Sequence, residues 1–182
     1  QAVRSFGRID VLVNNAALYA GLKGARFEKL DEAQWDAVMT VNVKGLWQCC
    51  KAVVQPMRDA GGGSIINISS LAAVYGLPYG LDYVASKAAV IGMTRGMARE
   101  LGQDHIRVNA VAPGVIRTPM TERYFQDADV ARRIQELHAM GRSGETQEVA
   151  NAMMFLASEE SSFTTGAVLT VDGGWTLGKK MT

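Results

Sequence analysis

The chain has 182 residues, 48% apolar and 20% charged, with 19 Lys and Arg against 18 Asp and Glu and a net charge of +1. That length suffices for one domain with a sizeable core, and the even charge leaves no basic block for nucleic acid or an acidic membrane. No apolar run approaches the ~18 residues of a membrane helix, and the opening Gln1-Ala-Val-Arg-Ser-Phe-Gly does not read as a signal peptide.

Ile9–Val13 is a short β-branched run stopped by Asn14-Asn15-Ala16-Ala17, which predicts a buried strand. Residues 18–30, with Gly21 and Gly24, read as a loop. A helix is predicted from about Asp31 to Met57, with Asp31 as cap and Gln34 completing a capping-box variant. Asn42 and Gly45 fall in one turn of it, and both are poor helix formers. That pairing predicts a distorted turn or an inward-facing amide. Cys49 and Cys50 are adjacent, so they point about 100° apart and do not bridge. With no C-x-x-C spacing and no His nearby, no metal site is expected. They read as small hydrophobes in a reducing, cytoplasmic compartment. Gly61-Gly62-Gly63 precedes a strand rather than following one, so it reads as a turn and not a phosphate loop.

Ser64–Ser69 is the second predicted strand, and a loop with Gly76, Pro78 and Gly80 leads into a helix ending near Leu101. On that helix Val90, Ile91, Met93, Met97, Ala98 and Leu101 form one apolar stripe, and Ala85, Ala88, Ala89, Gly92 and Gly96 a second face of small residues. Two buried faces need two covers: the sheet, and either a second subunit or the chain's own helix around Leu46–Val54. Ile106–Ala112 is the third strand, closed by Pro113-Gly114. Residues 115–145 form a long insert, a helix runs from Gln147 to Ala157 with Thr146 as cap, and Ala167–Val171 is the fourth strand. The alternation βαβαβαβ predicts an α/β fold, a Rossmann-like doubly wound parallel sheet with helices on both faces. Ligands of such sheets bind beyond the carboxyl ends of the strands, where Asn14, Ser70 and Pro113-Gly114 fall.

Chemistry concentrates at Tyr83-Val-Ala-Ser-Lys87. A four-residue spacing stacks the phenol and the ammonium on one helix face. A free Tyr titrates near ~10, and a fixed cation beside it favours the phenolate, which suits proton exchange with an alcohol or ketone. Ser70 lies at a strand end and can hold a substrate oxygen against that phenol, while its neighbour Ser69 reads as a backbone partner. A nucleophilic serine is not expected, for there is no G-x-S-x-G elbow, and His105 and His138 stand alone in sequence. For Asn42 two readings stay open: a water held between it and Lys87, or an amide satisfied by local backbone.

Taken together, Asn14-Asn15-Ala16, Asn42, Ile68-Ser69-Ser70, Tyr83-x-x-x-Lys87, Pro113-Gly114-Val-Ile-Arg-Thr118 and Val171-Asp172-Gly173-Gly174 resemble the short-chain dehydrogenase/reductase family in order and over nearly the whole chain. The resemblance implies a tetrad of Asn42, Ser70, Tyr83 and Lys87: Tyr83 the general acid/base, Lys87 lowering its pKa and binding the nicotinamide ribose, Ser70 orienting substrate, and Asn42 holding a relay water. It implies NAD or NADP as cofactor, with Asn14 and Ala16 along the adenosine side. Pro113, Gly114, Ile116 and Thr118 would lie near the nicotinamide and phosphates, beside Tyr83 and Lys87. It also implies a homodimer or homotetramer, and a lid over substrate from the 115–145 insert. Leu18, Tyr19, Leu71, Leu77 and Tyr79 would make the pocket mostly apolar, suited to a secondary alcohol or ketone; no Arg or Lys is obviously placed to hold a substrate carboxylate, with Arg117 and Arg123 left open. An isomerase, epimerase or dehydratase of the same fold, and a non-catalytic dinucleotide-binding or scaffold relative, are the alternatives.

Two features depart from the family pattern. Ala17 stands where the family has glycine. The glycine-rich T-G-x-x-x-G-x-G turn and the first strands are missing, roughly 60–70 residues at ~30 per βαβ unit. The 182 residues are therefore expected to be a fragment with an open apolar strand edge. Alone, it should be poorly soluble and should bind dinucleotide weakly.

Overall fold

The computed structural model describes residues 1–178. A short helix α1 (Ala2–Phe6) precedes strand β1 (Val11–Asn14). Helix α2 (Glu32–Met39) runs through a widened π turn (Thr40–Gly45) into α3 (Leu46–Asp59). Strand β2 (Gly63–Ile68), one-turn helix α4 (Ala72–Tyr75) and the long α5 (Leu81–Leu101) follow, then β3 (Ile106–Pro113). Residues 115–145 hold β4 (Ile116–Arg117), α6 (Ala128–Leu137) and β5 (Gly144–Glu145), and α7 (Thr146–Ala157) leads to β6 (Val168–Val171).

The four main strands are all parallel, in the order β1-β2-β3-β6, and β4 and β5 make a separate parallel pair. In the central strand β2, successive side chains go to opposite faces, so one segment serves two cores. Ile65 joins Val90, Ala98 and Leu101 of α5 and Cys50, Val53 and Met57 of α3. Ile66 and Ile68 join Val111 and the α7 residue Leu156. Helices thus cover both faces, and the fold is the α/β parallel arrangement expected from the alternation of elements. β1 is an edge strand, and its Val11 and Val13 are 39% and 41% exposed.

Local chemistry explains most boundaries. Asp31 caps α2 by accepting from Ala33 N. Gln34 does not complete a capping box: its amide goes to Lys23 and to Asp82. The two poor helix formers Asn42 and Gly45 lie in the π turn, the predicted distortion. The cap of α7 is Glu145, paired with Glu148 in a reciprocal box, and Thr146 is already helical. The triple glycine is a turn, as read: Gly62 has φ +139°, and a Cβ there would stand 2.6 Å from His105 O. On α5, Ser86, Lys87, Val90, Thr94, Ala98 and Leu101 are buried, whereas Ala88, Gly92 and Gly96 face outward. The small-residue face is therefore open in this chain, and the helix around Leu46–Val54 does not cover it. Sequence periodicity gave no sign of α1 or α4, whose single turns are too short for a repeat.

Buried asparagines stitch the layers. Asn67, fully buried on β2, accepts from Asn14 Nδ2 at 2.9 Å and donates to Thr94 Oγ1 of α5 at 3.0 Å, and Thr94 in turn donates to Val90 O. Asn109 on β3 donates to Thr164 O and accepts from Ala167 N, fixing the entry to β6. Replacing Asn67 by alanine should cost about 2–3 kcal/mol of stability, because the Asn14 amide loses its best acceptor inside the fold. Chemical denaturation of the full-length protein checks this, and an unchanged midpoint would remove Asn67 from the account.

Candidate active site

Tyr83 and Lys87 lie one turn apart on α5, over the carboxyl end of β2. Lys87 is 4% exposed, and its Nζ donates to Ile68 O at 2.8 Å. That ammonium has three N–H donors, and among the described residues Ile68 O is its one acceptor. Burial pulls its pKa down from the usual lysine value to about 8. Ser69 Oγ donates to Lys87 O at 2.8 Å, the backbone role read for it from sequence. Nζ stands 5.7 Å from the centre of the Tyr83 ring.

The Tyr83 phenol sits above its ordinary pKa: burial raises it, and the neighbouring Ser70 side chain pulls partly back. This differs from the expectation that Lys87 sets the phenol low. Here the ammonium points at the β2 carbonyl, and desolvation of the phenolate is the larger effect. Ser70 is half-buried at the start of α4, and its Oγ accepts from Ala72 N at 3.1 Å.

The Asn42 amide is fully engaged. Its Oδ1 accepts from Leu18 N at 2.7 Å, and its Nδ2 donates to Leu18 O at 3.2 Å and to Ser86 Oγ at 3.0 Å. Ser86 donates to Tyr83 O on the same helix. The amide is satisfied, but by the backbone of a distant loop and by Ser86 rather than by local backbone. The widened turn puts the amide inside, where it clasps the loop after β1 onto α5. Asp82, also buried, accepts from Gln34 Nε2 at 2.8 Å and from Tyr83 N at 2.8 Å, so α2 braces the start of α5. Ala25 N donates to Tyr79 O, a second tie between the same loop and the entry to α5.

The remaining rim residues fall where the strand ends predicted. The Asn14 side chain is committed to Asn67 and to Cys50 Sγ, so what it offers a ligand is backbone. Ala16 is exposed in the following loop. Pro113 O accepts from Leu71 N, and Gly114 N donates to Val171 O. A Cβ on Gly114 would meet Asp172 Cα at 2.7 Å, so glycine is required for the close approach to the end of β6. Ile116 pairs with Gly144, and the Thr118 hydroxyl is 3.1 Å from that of Thr121. A separate cavity of about 480 Å³ includes Ile116, His138 and Asp172 but none of Ser70, Tyr83 or Lys87. His138 is buried, with Nδ1 on Ile134 O at 2.6 Å. No group of three or more His, Cys, Asp or Glu among the described residues could hold a metal ion. No helix among them is long and apolar enough to cross a membrane.

From sequence, Tyr19 is expected only as one residue of the pocket wall, and Tyr124 is one residue of the long insert. The structure brings both to the site. The Tyr19 ring packs on Tyr83 at 4.6 Å between centroids, and its hydroxyl is 3.0 Å from that of Tyr124. Ser86 was missed altogether. Its position three residues after Tyr83, on the inner side of the helix, was the available signal.

Residues 1–176 match the family model described as enoyl-(acyl carrier protein) reductase. The chain is 47% identical over 176 residues to the 3-oxoacyl-(acyl-carrier-protein) reductase FabG of Thermotoga maritima, covering 96% of this chain and 69% of the relative. It is 42% identical over 173 residues to a 3alpha-hydroxysteroid dehydrogenase of Mediterraneibacter gnavus, covering 95% and 67%. Its fold superposes on a gluconate 5-dehydrogenase from Burkholderia cenocepacia, solved in complex with NADP and tartrate, with a TM-score of 0.90 and 34% identity over 97% of this chain and 68% of that one. ElxO with NADP bound gives a TM-score of 0.89 and 36% identity over 96% and 70%. The chain thus spans about two thirds of the length of the relatives it matches. By sequence and by fold, it belongs to the short-chain dehydrogenase/reductase family of oxidoreductases.

Proposed function

We propose that this protein is an NAD(P)-dependent dehydrogenase or ketoreductase acting on a secondary alcohol or ketone. The observation that carries the reading is the Tyr83 phenol beside Ser70, with the buried Lys87 ammonium one turn along α5. Relatives named as ketoacyl reductase and hydroxysteroid dehydrogenase, and neighbours solved with NADP, support the reaction class and the cofactor.

The residues present fit the dinucleotide. Lys87 is buried with two N–H donors unmatched by protein acceptors among the described residues, a cation suited to ribose hydroxyls. Ala16, Pro113, Gly114, Ile116 and Thr118, with the backbone of Asn14, would line its course along the strand ends. When bound, the nicotinamide supplies or accepts the hydride. Ser70 holds the substrate oxygen, and Tyr83 Oη gives it a proton during reduction or takes one during oxidation. The charged Lys87 stabilises the phenolate left behind. The Asn42 amide acts by positioning, through Leu18 and Ser86, and a relay water would rest on the backbone of the π turn.

The 115–145 segment would serve as a lid. The open Ala88–Gly92–Gly96 face would pair with a second copy in a homodimer or homotetramer, since small residues let helices approach closely. Two unpaired cysteines, Cys49 exposed and Cys50 buried, suit a reducing cytoplasm.

In the full-length protein, Tyr83→Phe should lower turnover by about a hundred- to ten-thousand-fold while dinucleotide affinity holds. Steady-state assays on a panel of alcohols and ketones, with a fluorescence titration of NADPH, check both, and retained turnover would refute the assignment. The pH profile carries a sign. Because the Tyr83 pKa is raised, the phenol is protonated at neutral pH, the form that reduction needs. Oxidation needs the phenolate, whose fraction grows about tenfold per pH unit below the pKa. kcat/KM for oxidation should therefore climb from pH 6 to about 8, the range in which Lys87 keeps its charge, while that for reduction does not, and a flat oxidation profile counts against Tyr83 as base.

A further inference from the structure

Tyr19 holds a place that the proposed proton chemistry does not use. Its ring packs against Tyr83 at 4.6 Å with planes 52° apart. Its chain neighbour Leu18 is gripped at both N–H and C=O by the Asn42 amide, so the ring is presented from an anchored backbone. Its hydroxyl lies 3.0 Å from that of Tyr124, 105 residues further on. Tyr124 belongs to the turn Glu122–Tyr124, and its oxygen also accepts from Arg123 Nη2 at 3.1 Å. Among the described residues, this phenol pair is the one hydrogen bond joining residues 118–137 to any part of the chain outside the 115–145 segment. The segment's other hydrogen bonds there are internal, such as Thr121 Oγ1 to Ile116 O and the Asp127 cap of α6.

We propose that Tyr19 is a positioning residue with two arms: its ring fixes the Tyr83 phenol, and its hydroxyl is the latch on which Tyr124 closes the 115–145 segment over substrate. The inference rests on the dehydrogenase reading for its first arm only. A lone hydrogen bond between neutral hydroxyls shifts a closed-to-open ratio by roughly twofold to tenfold. That is enough to favour closure and small enough to be broken in every catalytic cycle. Burial raises the Tyr19 pKa and its bond to Tyr124 raises it further. Burial alone would also raise that of Tyr124, but the Tyr19 hydrogen bond and the Arg123 guanidinium override it and hold it below the ordinary value.

The two arms come apart by substitution. In the full-length protein with NADP(H), Tyr124→Phe and Tyr19→Phe should each raise KM roughly twofold to tenfold with little change in kcat, and the double variant should be no worse than either alone. Tyr19→Ala should lower kcat as well, and Tyr19→Phe should restore it, since phenylalanine keeps the ring and loses only the latch. Additive KM effects, or a kcat indifferent to the ring at residue 19, overturn the corresponding arm. Hydrogen exchange supplies a readout that needs no substrate. Amides of residues 118–137 should exchange faster in both Phe variants, by the same factor. Unaltered exchange sinks the latch whatever the kinetics show. Faster exchange alongside full turnover in Tyr83→Phe would keep the latch and sink the dehydrogenase chemistry.

Discussion

The seam between β2 and α5 governs everything above it. Three hydrogen bonds cross it from three consecutive residues at the strand end: Asn67 Nδ2 to Thr94 Oγ1, Lys87 Nζ to Ile68 O, and Ser69 Oγ to Lys87 O. Around them Ile65 packs with Val90 and Leu101. A helix held only by apolar contacts can slide or rotate at small cost, because such contacts have no direction. Directional bonds between buried groups remove that freedom, since a shift would leave polar atoms unpaired in the interior. The rotation of α5 decides where Tyr83 points, and the end of β2 decides where Ser70 stands. One seam therefore sets the geometry of both.

The same seam accounts for the buried charge. An ammonium moved from water into a protein interior is costly unless it is compensated. Among the described residues Lys87 has a single carbonyl acceptor, and burial pulls its pKa down to about 8. A structural lysine would gain by reaching solvent, as long side chains usually do. This one is held inward beside Tyr83 and the strand end, with donors to spare. Such strain is characteristic of sites built for a ligand that supplies the missing acceptors, and hydroxyl groups on a ribose have the right character.

Much of this was legible in the chain. The alternation of β-branched runs with helical stretches gave the parallel sheet, because strands buried on both faces show as continuous apolar runs. Tyr83 and Lys87 were legible because helix periodicity converts a spacing of four into a shared face. The misfit of Asn42 and Gly45 forecast a distorted turn, since both residues weaken a helix for separate reasons. What the amide of Asn42 touches was not legible, for Leu18 is 24 residues away and lies in a loop. Gln34 looked like a capping residue by spacing, yet Asp82, 48 residues on, offered its amide a buried carboxylate. Glu145 was passed over as a cap in favour of Thr146, because threonine is the commoner choice and only the Glu148 side chain decides the matter. The small face of α5 was legible as one that needs a cover, and Ala88, Gly92 and Gly96 stand at the surface of the chain, so its own helix around Leu46–Val54 is not that cover.

The candidate site then joins a closely bonded floor to a lightly fastened segment, the one proposed as its roof. The floor, from Asn42 through Ser86 to Tyr83 and from Lys87 to Ile68, is tied together by buried directional bonds, with Lys87 donors to spare. The roof, residues 118–137, is bonded chiefly to itself. Local opening follows such differences, because segments with few cross-links sit at the low end of a protein's range of opening energies. A proton donor must be fixed to within a fraction of an ångström to be useful, whereas a cover must move for substrate to enter. Tyr19 belongs to both parts: its backbone is gripped by the floor through Leu18, and its hydroxyl faces the roof at Tyr124. In the proposed mechanism, a residue so placed would carry the state of the cover to Tyr83 without any change in the sheet below.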